Sequence, residues 1–115
     1  ERYSAWHPYG SAHGNYQQVV AEMGFVGLGA LLVILVATAT TVWGVYRRAE
    51  DAFVRGYALG AFATLLGQAA AAVIGDYLIP SYHNGGHTTF STVVFTWIIT
   101  GAAIGLSRPK GDDGR

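Results

Sequence analysis

Met23-Gly24-Phe25-Val26-Gly27-Leu28-Gly29-Ala30-Leu31-Leu32-Val33-Ile34-Leu35-Val36-Ala37-Thr38-Ala39-Thr40-Thr41-Val42-Trp43-Gly44-Val45-Tyr46 runs without a single formal charge. A helix needs about 20 such residues to cross the hydrocarbon of a bilayer. Two further stretches, Gly56–Gly75 and His87–Ser107, are also free of Asp, Glu, Lys and Arg. The seven acidic and seven basic residues of this 115-residue chain all lie outside these three runs. Only 12% of the chain is charged, 51% is hydrophobic and there is no Cys. A soluble domain carries about a quarter of its residues as charges. The pattern therefore argues against an ordinary soluble domain, a disordered tail or a disulfide scaffold. It predicts an all-α fold, a fragment of a polytopic membrane protein with three transmembrane helices at about 23–46, 56–75 and 87–107.

The borders of the runs fit that expectation. The first ends in Trp43, Tyr46, Arg47 and Arg48, and aromatics followed by arginines suit a membrane interface. Arg47–Arg55 reads as a short charged linker. The second run is richer in Ala and Gly and so suits contact with protein. Pro80 closes it, because the residue before a proline avoids helix. Ser81–Gly86 reads as a polar loop with Asn84-Gly85-Gly86 as its turn. Residues 108–115 read as a tail. Gly56 with Gly60, and Gly101 with Gly105, have the spacing that lets helix backbones approach closely, or reflect only the abundance of glycine.

Six Lys/Arg lie in the linker and tail against Arg2 alone on the other side. Basic residues favour the cytoplasm. That bias puts residues 1–22 and 76–86 outside the cytoplasm, as the end of a non-cytoplasmic loop and a short outer loop, with the C-terminus cytoplasmic. The expected location is a bacterial inner (plasma) membrane, multi-pass, with the His13 side periplasmic. The chain opens at Glu1 in a polar, aromatic segment without the features of a signal peptide, so further N-terminal spans of the same protein are expected. Zero net charge with no basic patch argues against nucleic acid.

Chemistry concentrates in Ser11–Gly27. Asn15 reads as a helix N-cap with Gln17 and Gln18 in the first turn. His13 then precedes a helix N-terminus, where backbone N–H groups favour an anion. A neutral imidazole accepts a proton from a hydroxyl and an imidazolium steadies a phosphate; otherwise His13 merely hydrogen-bonds the turn. Glu22 enters hydrocarbon, where a carboxylate needs protein or water beside it. It either pairs with such a group or snorkels to the interface. Tyr3, Trp6, Tyr9 and Tyr16 anchor the interface or stack on sugars. His83, Asn84 and His87 with Asp76 form a second polar group; with His7 and His13 they make a metal site conceivable. The glycines between His83 and His87 count against helical ligand spacing.

His13, Tyr16, Gln18, Glu22, Gly24 and Gly27 fall on the pattern His–Asn–x–(Tyr/Phe)–Leu–Gln followed by Glu–x–Gly–hydrophobic–x–Gly. In this the chain resembles the O-antigen ligase / O-antigen polymerase family of bacterial membrane glycosyltransferases, over most of its length but with one motif of moderate strength. It departs at Gly14, where the family commonly has Asn or another small polar residue, and at Gln17, where it has Leu. The resemblance implies transfer of a glycan from a polyprenyl-diphosphate carrier to a glycan or lipid acceptor hydroxyl. It implies His13 as the catalytic residue, with Asn15, Tyr16, Gln18 and Glu22 binding substrate or supporting the site. No metal and no cofactor are implied. The diphosphate-binding arginines of the family lie upstream of this motif. Positioning and anion stabilisation then carry most of the chemistry. The competing reading is a non-enzymatic membrane module, a fragment of a transporter or metal-binding subunit.

Overall fold

The computed structural model describes residues 14–75, 77–79 and 82–106, with the side chains of 82–89 excepted. Three helices follow one another: α1 (Asn15–Arg48), α2 (Ala52–Ala71) and α3 (Tyr82–Leu106). Each pair packs together.

Local chemistry sets the ends. Arg47 and Arg48 occupy the last turn of α1, where cations favour the negative end of the helix dipole. Asp51 caps α2: its carboxylate accepts from the Phe53 and Val54 N–H groups at 2.7 and 3.0 Å. This cap starts α2 at Ala52, so Phe53, Val54 and Arg55 belong to the helix and not to the linker. α2 stops at Ala71, ahead of Pro80, in a series of turns that continues to Gly75. α3 starts at Tyr82, so Asn84-Gly85-Gly86 is helical backbone and not a turn. A glycine inside a helix costs about 1 kcal/mol relative to alanine. It does not forbid the helix when a long apolar run continues it.

The core is two small clusters. Leu35, Leu65, Ala72 and Leu78 form one, with Tyr16, Leu31, Ala39 and Trp97 against it. Val42, Ala61 and Ala103 form the other, flanked by Tyr57, Phe62, Ile99 and Ile104. Between the helices alanines make the close approaches: Ala58, Ala61, Ala72 and Ala103 are buried. Among the described residues, no atom outside the adjoining backbone of their own helix lies within 4 Å of the position a Cβ would take at Gly56, Gly60, Gly101 and Gly105. The glycine spacings therefore do not mark contacts within this bundle.

Among the described residues, only α1 is both long and apolar enough to cross a membrane. The expectation of a three-span polytopic protein is corrected accordingly. The fold is all-α with three helices, one of which qualifies. Composition explains the difference. α2 takes in Arg55 at its start and Gln68 near its end, and glycine and alanine dilute the rest. Among the described residues the apolar stretch of α3 is Phe90–Leu106, which falls short of the length of a span. The expected multi-pass inner-membrane location, with its periplasmic His13 side and cytoplasmic C-terminus, is corrected with the three-span expectation: among the described residues at most a single membrane-associated helix is evident, not a multi-pass topology.

Candidate functional site

The residues singled out in the sequence meet at one end of the bundle, where the start of α1 packs on the end of α2 and the chain beyond it. Gly14 is the N-cap of α1, and Asn15 is the first helical residue. The expected capping role of Asn15 is thereby replaced by another. Gly14 has φ +128°, which L side chains rarely adopt, and a Cβ there would meet the Gln17 side chain and stand 2.7 Å from the Val73 carbonyl. This backbone explains why glycine stands at that place.

With Gly14 turning the chain, Asn15 points inward and is 1% exposed. Its backbone N–H donates to the Ala72 carbonyl at 3.0 Å. Its Oδ1 accepts from the Leu78 N–H at 2.7 Å and the Ile79 N–H at 3.4 Å. The Tyr16 hydroxyl donates to the Ala69 carbonyl at 2.8 Å, and the Gln17 amide donates to the Val73 carbonyl at 3.1 Å. From the other side, the Trp97 indole N–H donates to the Leu78 carbonyl at 3.2 Å. The first turn of α1 and one side chain of α3 thus hold the chain from Ala69 to Ile79. These bonds satisfy carbonyls at the end of α2 that its own ladder leaves free.

Burial pushes the Tyr16 phenol above its ordinary value of 10.0, because the low-dielectric surroundings disfavour phenolate. Gln18 and Glu22 lie one turn apart, and the Gln18 amide donates to a Glu22 carboxylate oxygen at 2.9 Å. Glu22 is exposed. Neutral amides and a phenol donating to carbonyls position a backbone; they do not transfer protons at neutral pH. The arrangement is a clamp that fixes where the polypeptide enters α1.

Of the predicted site residues, Asn15 and Tyr16 come together in the clamp, and Gln18 with Glu22 forms a pair on the outward side of the same turns. His13 lies outside the described residues, as do His7, Asp76 and the side chains of His83 and His87. Among the described residues no three His, Cys, Asp or Glu side chains group as metal ligands. Two contributors were not singled out from sequence. Gln17, counted as a departure from the family pattern, binds Val73, and Trp97 closes the clamp from α3. An amide on the first turn was a usable signal for Gln17; nothing local marked Trp97. Set against protein families, curated proteins and solved structures, the chain matches none of them.

Proposed function

We propose that the described part of the chain is a non-enzymatic, membrane-anchored helical module. α1 is the anchor, and the clamp at its start presents the polar segment that ends at Gly14. The surface of α1 carries this reading. Val33, Ile34 and Val36 are more than half exposed, which a soluble core helix would bury. The hydroxyls of Thr38, Thr40 and Thr41 all donate back to carbonyls one turn earlier, at 2.7–2.8 Å. A helix surrounded by lipid needs every such group satisfied from within. The test is flotation of the purified chain with phosphatidylcholine vesicles, followed by alkaline carbonate extraction. Recovery in the extracted vesicle pellet is expected, and quantitative release by carbonate refutes the anchor.

One observation favours a second reading, glycan transfer from a polyprenyl-diphosphate donor to an acceptor hydroxyl, in which His13 acts. Several residues of the family-like pattern have a positional reason. Tyr16 belongs to the clamp, Gln18 binds Glu22, and Gly24 takes a φ of +67° that favours glycine. Asn15 fixes the chain two residues after His13, which is the kind of positioning such a transfer requires. General acid–base contributions are about 10²–10⁴-fold, so His13→Ala in the full-length protein should lose most transfer from a polyprenyl-diphosphate glycan. Near-normal turnover at equal membrane insertion refutes this reading and leaves the module.

A further inference from the structure

α1 is not one continuous helix. Gly24 has φ +67° and ψ −166° within it, so two helical segments meet at a break. No neighbouring side chain or distant backbone lies within 4 Å of the position a Cβ would occupy at Gly24. A residue in this conformation interrupts the i→i−4 ladder and leaves N–H and C=O groups without helical partners. Met23, Phe25 and Val26 around the break are exposed, so water is the partner open to such groups. Irregular backbone facing lipid does not occur within hydrocarbon, so Gly24 cannot lie at bilayer depth.

We infer that Gly24 marks the boundary of the hydrocarbon layer on the Gly14 side, with lipid acyl chains covering the exposed face of α1 from Phe25 to Trp43. This rests on the anchor reading and adds its register. The segment Asn15–Glu22 then stands in the headgroup layer, with its outward Gln18–Glu22 pair in water and its clamp intact. Beyond the break, Phe25 and Val26 are 81% and 85% exposed and enter the acyl chains first. From Phe25 to Trp43 the helix rises about 27 Å at 1.5 Å per residue. A hydrocarbon core is about 30 Å thick.

The far boundary is marked independently. The Trp43 and Tyr46 rings stack at 5.0 Å, and the Arg55 guanidinium lies over the Tyr46 ring at 5.1 Å. Arg47 and Arg48 follow directly. Aromatic rings with arginines belong at headgroup depth. The break and this cluster are thus separated by one hydrocarbon thickness. Glu22 is the last charged residue before the break and Arg47 the first after the apolar run.

The chain has no Cys, so single cysteines carrying an environment-sensitive fluorophore can be placed at Gln17, Glu22, Val26, Val33 and Val36. In vesicles of phosphatidylcholine with phosphatidylglycerol, aqueous iodide should quench the labels at Gln17 and Glu22. It should lose nearly all effect at Val26, Val33 and Val36, where lipids brominated on the acyl chains should quench instead. In Gly24→Ala, alanine resists the broken conformation, the two segments merge, and the step between Glu22 and Val26 should move or blur. A step elsewhere, or one unchanged in Gly24→Ala, overturns the boundary assignment while the anchor stands. Absence of bromide quenching at Val33 and Val36 overturns the anchor itself, and the boundary with it.

Discussion

Removing the side chain of Asn15 is the most direct test of the clamp. Its Oδ1 is the partner of the Leu78 N–H at 2.7 Å, and Leu78 and Asn15 are each 1% exposed. In Asn15→Ala no water replaces the lost acceptor without opening the packing. A buried N–H left unsatisfied costs about 1–3 kcal/mol. The Ile79 N–H at 3.4 Å is at the limit of a hydrogen bond and adds little. The space vacated in the cluster of Leu35, Leu65, Ala72 and Leu78 moves the total toward the upper end of that range. The global measurement is equilibrium unfolding in mild detergent, followed by helix content. The local one is amide hydrogen exchange at Leu78, which should quicken more than exchange in the middle of α2. A variant within about 0.5 kcal/mol of wild type, the range of ordinary surface changes, with an unchanged Leu78 amide, would show that Asn15 does not hold the loop.

Three other outcomes follow from the same geometry. Tyr16→Phe should cost about 0.5–1.5 kcal/mol through the lost bond to the Ala69 carbonyl. Because burial raises the Tyr16 pKa above 10.0, its contribution is whole below that pH and is lost as pH rises toward the folded-state value; the alkaline decline in melting temperature should be shallower in the Phe variant. Thr100 is 2% exposed and its hydroxyl has no hydrogen-bond partner among the described residues, so Thr100→Val should be neutral or stabilising by up to about 1 kcal/mol in the same unfolding assay, and a loss of stability would argue for a bond at that hydroxyl. Gly14→Ala should destabilise by about 1–3 kcal/mol, the cost of a side chain in sparsely populated backbone, and a helix content and stability equal to wild type would contradict the φ of +128°.

The sequence by itself determined the all-α character. Uncharged runs of about 20 residues or more are too long for single strands and satisfy their backbones as helices, and the end of α1 at Arg47 and Arg48 is written in local chemistry. Helix bounds were less legible. Asp51 reads as part of a linker and Asn84-Gly85-Gly86 as a turn, yet one caps α2 and the other lies in α3, because local propensity is weaker than the cooperativity of an apolar helix that continues past it.

What the helices do to each other needed the tertiary structure. Glycine spacing suggested close packing at Gly60, yet which side of a helix faces a neighbour is set by the partner's shape, and alanines proved to lie there. Hydropathy treated three runs alike. Among the described residues the folded chain separates them, because Arg55 is drawn into α2 by its cap and the apolar stretch of α3 there is Phe90–Leu106 alone. The motif around Asn15 was visible as a pattern, but its work was not. A side-chain oxygen that accepts from a backbone group sixty-three residues later has no signature in its own neighbourhood, since the partner is any residue's N–H and only folding decides which one arrives.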